Sequence, residues 1–214
     1  MTQSGSISLA ELVARARRLA AGPRRLLGIA GPPGAGKTTI AAHIAAQLGS
    51  AAVVVPMDGF HLADVELRRL GRADRKGAPD TFDGYGYLAL LRRLREPLDA
   101  TVYAPAFERD LEQPIAGSIP VDPAIPLVVT EGNYLLQDTQ PWLDVRAALD
   151  ECWWVALDDG ERRGRLIDRH VQFGKPRPAA ERWVDRSDKA NAELVADDWK
   201  RADLVVSGEL SYTG

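Results

Sequence analysis

Residues 31–38 read Gly31-Pro32-Pro33-Gly34-Ala35-Gly36-Lys37-Thr38 and fit the pattern G-x-x-x-x-G-K-[ST]. Just before them, Arg25-Leu26-Leu27-Gly28-Ile29-Ala30 is a short apolar run with the character of a buried strand. Just after, the chain from Thr38 to Leu48 is alanine-rich and helical in pattern. Strand, glycine-rich turn and helix, in that order, form the setting in which this pattern binds phosphate. Glycines let the backbone bend until several N–H groups converge on one anion, and the helix N-terminus adds the positive end of its dipole. Lys37 then reaches the outer phosphates of a nucleotide, the Thr38 hydroxyl is placed to ligate Mg²⁺, and Thr39 extends the binding set by one residue.

Outward from this stretch, the chain alternates strand and helix signals. Ser8-Leu9-Ala10-Glu11 has capping-box spacing, and Leu9, Leu12, Val13, Ala16 and Leu19 recur at helical intervals up to Gly22-Pro23. Ala51 to Val55 is apolar throughout, as in a strand buried on both faces, and runs into Pro56-Met57-Asp58-Gly59-Phe60-His61. Leu127-Val128-Val129-Thr130-Glu131, the Trp153-Trp154-Val155 run within residues 151–157, and Leu204-Val205-Val206 repeat the strand signal, with both tryptophans read as core. Helices are expected over 62–70, 85–95, 159–173 and 178–200, and a loop over 71–84. Thr101 to Ala104 reads as a short strand, and the proline-bearing 105–126 as irregular surface. This alternation predicts a three-layer α/β fold around a mostly parallel sheet.

With 214 residues, 45% of them hydrophobic and 27% charged, the chain is expected to form a single domain over 1–214 rather than two. A net charge of −3 argues against nucleic-acid or membrane-surface partners, so an anionic ligand has to be held by local geometry. Cys152 is the only cysteine, which excludes an intramolecular disulfide and a cysteine metal cage. The polar Met1 to Ser8 lacks the apolar core of a secretory leader, and no run of about 18 apolar residues occurs. A cytoplasmic protein is expected. A homodimer is compatible with the sequence.

Ligands of parallel α/β sheets gather beyond the C-terminal ends of the strands, where Asp58 and Glu131 both fall. Phosphoryl transfer to an alcohol needs one carboxylate to take the hydroxyl proton and another acid to hold the metal, roles assigned here to Asp58 and Glu131 in that order. Arg162, Arg165 and Arg169 recur on one face of the helix after the tryptophan strand, spaced to close over the phosphates of ATP. A nucleotide-binding regulator without transfer activity is the alternative. It would leave Asp58 without a role.

The phosphate loop, Met57-Asp58-Gly59-Phe60-His61, Arg75-Lys76-Gly77-Ala78-Pro79-Asp80-Thr81-Phe82-Asp83, Glu131-Gly132-Asn133-Tyr134 and Arg201-Ala202-Asp203-Leu204 together resemble the phosphoribulokinase/uridine kinase family, from about Leu26 to Val206. The resemblance implies a P-loop NTPase fold with a helical lid at about 159–178 and an acceptor-binding insertion at about 59–126. It implies ATP- and Mg²⁺-dependent phosphorylation of a small-molecule hydroxyl, with Asp58 as base and Arg162, Arg165 and Arg169 on the lid. Tyr103 matches a family position facing the acceptor, and His61, Lys76, Asp83, Arg109, Asn133 and Tyr134 are assigned to the same pocket. Uridine kinases carry Phe-Asp where this chain has Lys76-Gly77, and a histidine where it has Glu108. Lys76-Gly77 is instead similar to the bacterial pantothenate kinases. The acceptor is therefore expected among nucleosides, sugars and pantothenate-like molecules.

Overall fold

The computed structural model describes residues 7–97 and 99–208. Of the polar N-terminal stretch, Met1 to Ser6 lie outside them. The Ser8 hydroxyl accepts from the Glu11 N–H at 3.3 Å, and the Glu11 carboxylate accepts from the Ser8 N–H at 2.8 Å, so the capping box opens α1 (Leu9–Leu19) as its spacing predicts. There follow β1 (Arg25–Ala30), α2 (Lys37–Leu48), β2 (Ala52–Val54), a helical turn at Met57–Phe60, α3 (Asp64–Arg69) and α4 (Gly84–Arg95). Next come β3 (Val102–Glu108), β4 (Gln113–Val121), β5 (Leu127–Gly132), α5 (Trp142–Ala148) and β6 (Glu151–Ala156). The last described elements are α6 (Asp159–Gln172), α7 (Arg177–Trp183), α8 (Lys189–Leu194) and β7 (Leu204–Ser207).

Five strands form one parallel sheet in the order β2-β5-β1-β6-β7. Side chains alternate across each strand, and here both faces are apolar because both are covered. Leu27 and Ile29 of β1, Leu127 and Val129 of β5, and Trp153 and Val155 of β6 pack on α1 and α2. Leu26, Val128, Cys152 and Trp154 point the other way, into a core shared with α4 and α5. The two tryptophans thus belong to opposite cores, and a third, smaller apolar cluster ties α6 to α7 through Leu166, Ile167, Ala180 and Val184.

Three expectations need correction, and one helix was not foreseen. Residues 105–126 are not irregular: β3 runs on to Glu108 and pairs antiparallel with β4. The prolines that disguised this ribbon are tolerated because each strand has a free edge, where a missing N–H breaks no ladder bond. β2 is an edge strand and only half-buried, not enclosed on both faces. The helix expected over 178–200 is broken by a π-turn at Val184–Asp188 and ends at Leu194. Finally α5, with seven residues, is too short to register as a periodic pattern.

Inside the α4–α5 core, the Tyr87 hydroxyl donates to Thr130 Oγ1 at 2.5 Å, and Thr130 in turn donates to the Val55 carbonyl at 2.6 Å. This chain of hydrogen bonds links α4 to β5 and to the strand end that leads into the Met57–Phe60 turn. Tyr87→Phe leaves Thr130 with one partner and is expected to cost about 1 kcal/mol of stability. A lower urea midpoint at an unchanged m value would show it.

Candidate active site

Because β2, β5 and β1 are neighbours and parallel, the segments leaving their C-terminal ends converge. The phosphate loop follows β1, the Asp58 turn follows β2, and Glu131 and Asn133 lie at the end of β5. Between them opens a cleft of about 430 Å³. Pro33, Gly34, Lys37, Thr38, Asp58 and Glu131 all line it, as do His61, Lys76, Arg109, Asn133 and Arg169.

The loop is shaped for an anion. Gly34 and Gly36 have φ of +81° and +98°, and a Cβ on Gly34 would lie 2.8 Å from Leu166 Cγ. No side chain caps the first turn of α2 and no acid sits in it, which leaves its N–H groups for a ligand. Ala35 is buried beneath the loop, while Thr38 and Thr39 are exposed on α2. Lys37 is 7% exposed; its ammonium donates to the Pro32 carbonyl at 3.0 Å and to Asn133 Oδ1 at 2.7 Å. Burial lowers its pKa to about 8, against the opposing pull of Glu131 and Asp58.

Thr38 Oγ1 donates to Glu131 Oε1 at 3.0 Å. Burial, and next the Asp58 charge, push the Glu131 carboxyl above the ordinary range, with Lys37 and the Thr38 hydrogen bond acting the other way. Asp58 keeps 30% of its side chain exposed and meets Arg109 Nη2 only at 3.5 Å. That approach depends on Gly59: a Cβ there would lie 2.4 Å from the Pro105 carbonyl oxygen, so only glycine lets the β3–β4 ribbon settle on the Asp58 turn. His61 Nδ1 lies 2.8 Å from the Asp58 carbonyl, and its ring is packed between Phe82 and Phe107. Burial holds its pKa below the usual histidine value. Lys76 pairs with Asp64 at 2.7 Å and also donates to the Glu112 carbonyl.

The lid arginines do three different things. The Arg169 guanidinium lines the cleft without a hydrogen bond or ion pair among the described residues, and burial, followed by the Arg109 charge, makes its own charge costly to hold. Arg162 is turned away from the cleft: it donates to the Pro33 carbonyl at 3.0 Å and to Asp159 at 2.7 Å, bracing the phosphate loop from outside. Arg165 is paired with Glu161 at 2.5 Å, although its Nη1 lies 3.6 Å from where a Gly36 Cβ would be.

Three expected pocket residues lie outside the cleft. Asp83 caps α4, accepting from the Gly86 N–H at 2.8 Å. Tyr103 is 62% exposed on β3 opposite Pro120 and does not line the cleft. Tyr134 is fully buried, with its hydroxyl on the Gly77 carbonyl at 2.5 Å, so it shapes the Lys76-Gly77 wall from behind. Conversely, Phe107, His170, Asp188 and Asn191 line the cleft and were missed. Their one sequence signal is a pair of polar residues, Asp188 and Asn191, at core spacing between Val184 and Val195.

No family model matches the chain. A protein of Schizosaccharomyces pombe named "Putative uridine kinase" is 34% identical over 195 residues, covering 86% of this chain and 83% of its own. An "ATP-dependent kinase-like protein" of Aspergillus versicolor is 36% identical over 162 residues, 72% of this chain and 89% of its own. Among solved structures, a "putative fructose transport system kinase" from Silicibacter sp. TM1040 superimposes with a TM-score of 0.82 at 35% identity, over 93% of this chain and 98% of that one. With a parallel sheet, a glycine-rich phosphate loop and these relatives, the chain belongs to the phosphoribulokinase/uridine kinase family of P-loop kinases.

Proposed function

We propose that the protein, an ATP-dependent kinase by family, transfers the γ-phosphoryl group of ATP to a hydroxyl of a small nucleoside, sugar or pantothenate-like molecule. One observation carries this reading: the accessible carboxylate of Asp58 and the buried ammonium of Lys37 line one cleft. A protein that only held a nucleotide would have no use for that carboxylate. The S. pombe relative is named for uridine and the Silicibacter one for fructose, both compounds rich in hydroxyl groups.

Each side chain then has a defined task. The loop N–H groups and Lys37 hold the β- and γ-phosphates, and an Asp58 oxygen takes the acceptor's hydroxyl proton as that oxygen bonds to the γ-phosphorus. The bond to the β–γ bridging oxygen breaks and ADP leaves. Arg169, half-buried in the cleft without a carboxylate partner among the described residues, suits the charge that spreads over the transferred phosphoryl oxygens. Thr38 and Glu131 offer two hard oxygen ligands, and no group of three or more His, Cys, Asp or Glu placed to hold a metal exists among the described residues. That set fits Mg²⁺, which keeps waters and takes phosphate oxygens rather than an all-protein cage. Bound there, it would neutralise charge on the β- and γ-phosphates.

Asp58→Asn is expected to lower kcat on the order of 100-fold or more, with KM for ATP little changed, in an ADP-release assay over a panel of hydroxyl acceptors. Wild-type turnover by that variant would remove the base. A second expectation concerns protons. With its pKa at about 8 in the free protein, Lys37 is roughly half neutral at pH 8, and a triphosphate beside it favours the charged form. Binding a non-hydrolysable ATP analogue at pH 8 should therefore take up about half a proton, and affinity should weaken as pH rises further. Calorimetry in two buffers of different ionisation enthalpy measures the uptake, and Lys37→Arg should abolish it.

A further inference from the structure

Opposite the phosphate loop, the cleft is closed by the segment that runs through the π-turn Val184–Asp188 into α8. Two polar side chains there face the cleft from positions otherwise reserved for core residues. Asn191 is 5% exposed, yet its carboxamide has no hydrogen-bond partner among the described residues. Its Nδ2 would lie 3.6 Å from a Cβ on Gly77, across the cleft wall. Asp188 is 8% exposed; Oδ2 meets His170 Nε2 at 3.0 Å, and Oδ1 has no protein partner among the described residues. Neither polar end is sealed into the core, so both are open to a ligand in the cleft, and π-helical turns recur at functional sites.

The aromatic lining is already engaged. His61 lies between Phe82 and Phe107, at centroid distances of 4.0 and 4.8 Å. The cations of Lys76 and Arg109 stand over Phe107 at 5.3 and 6.0 Å, and those of Lys175 and Arg186 over Trp183 at 5.5 and 5.8 Å. Among described residues, only Phe173, at the end of α6, is a lining ring without such a neighbour. There is little free aromatic face on which a nucleobase could stack.

We infer that Asn191 and Asp188 read neighbouring hydroxyl groups of the acceptor, which is a sugar or open-chain polyol. The Asn191 carboxamide supplies one donor and one acceptor, and Asp188 Oδ1 a second acceptor. A pair of adjacent hydroxyls, each able to donate and accept, satisfies all three. Asn191 is a specificity-determining residue, and Asp188, oriented by His170, holds the second hydroxyl. This deepens the kinase reading and rests on it, but it can be tested without phosphoryl transfer.

The full-length protein, loaded with a non-hydrolysable ATP analogue and magnesium chloride, is titrated with D-fructose, D-ribose and D-glucitol, with their deoxy analogues, and with uracil, following thermal stability. The wild type is expected to bind at least one polyol about tenfold more tightly than its deoxy analogue. Asn191→Ala and the isosteric Asn191→Asp should erase that preference while keeping the stabilisation by the ATP analogue, which shows both variants folded and nucleotide-competent. The inference is overturned if no polyol stabilises the wild type, if uracil does so equally well, or if the preference survives in either variant. Acceptor-dependent ADP release in the wild type is read separately. Its absence, with polyol binding and the Asn191 effect intact, would refute the kinase reading alone.

Discussion

A lysine ammonium withdrawn from water sets the terms for everything around it. The charge of Lys37 is held by two neutral oxygens, from Pro32 and Asn133, and among the described residues no carboxylate forms an ion pair with it. Removing a cation from solvent is expensive unless opposite charge is near, and here that charge sits one shell out, on Glu131 and Asp58. The same shortage acts on Glu131, whose carboxyl is pushed above the ordinary range by burial and then by the Asp58 charge. Around Lys37, therefore, opposite charge is near but not directly paired. An anion arriving at the loop supplies what the lysine lacks, and a cation arriving between Thr38 and Glu131 supplies what the carboxylate lacks.

That balance exists only because of strand order. β5 lies between β2 and β1, so the carboxylate after β2 and the one ending β5 meet the loop after β1 along a single edge. The β3–β4 ribbon adds the remaining wall, bringing Phe107 and Arg109 over the Asp58 turn. It is fixed there by backbone contact over Gly59 rather than by the sheet, which it does not join.

Much of this was legible in the sequence, and the pattern of success follows the range of the interactions. The phosphate loop, Asp58 and Glu131 were readable because each sits next to a strongly apolar run whose end fixes where the side chain falls. The ribbon was not, since Pro105, Pro114 and Pro120 look like breakers unless one knows that both strands have open edges. Asp83, Tyr103 and Tyr134 were assigned through resemblance; they lie close to the site along the chain, but Asp83 is taken up by a helix cap, Tyr103 stands in solvent and Tyr134 is buried. The lid arginines share a helical face, as their spacing demands, yet carboxylates on the same helix claim Arg162 and Arg165 and leave Arg169 alone in the cleft. Asp188 and Asn191 owe their direction to a π-turn, which periodicity cannot foresee.

The brace between Arg162 and the Pro33 carbonyl has a mechanical consequence. With its first turn stapled to the rim of the loop, and Leu166 pressed against Gly34, α6 cannot swing as a rigid rod without dragging the loop along. Whatever motion admits and releases ligands has its fulcrum beyond Leu166. Only the far end, bearing Arg169 and His170, is free to shift without disturbing the loop.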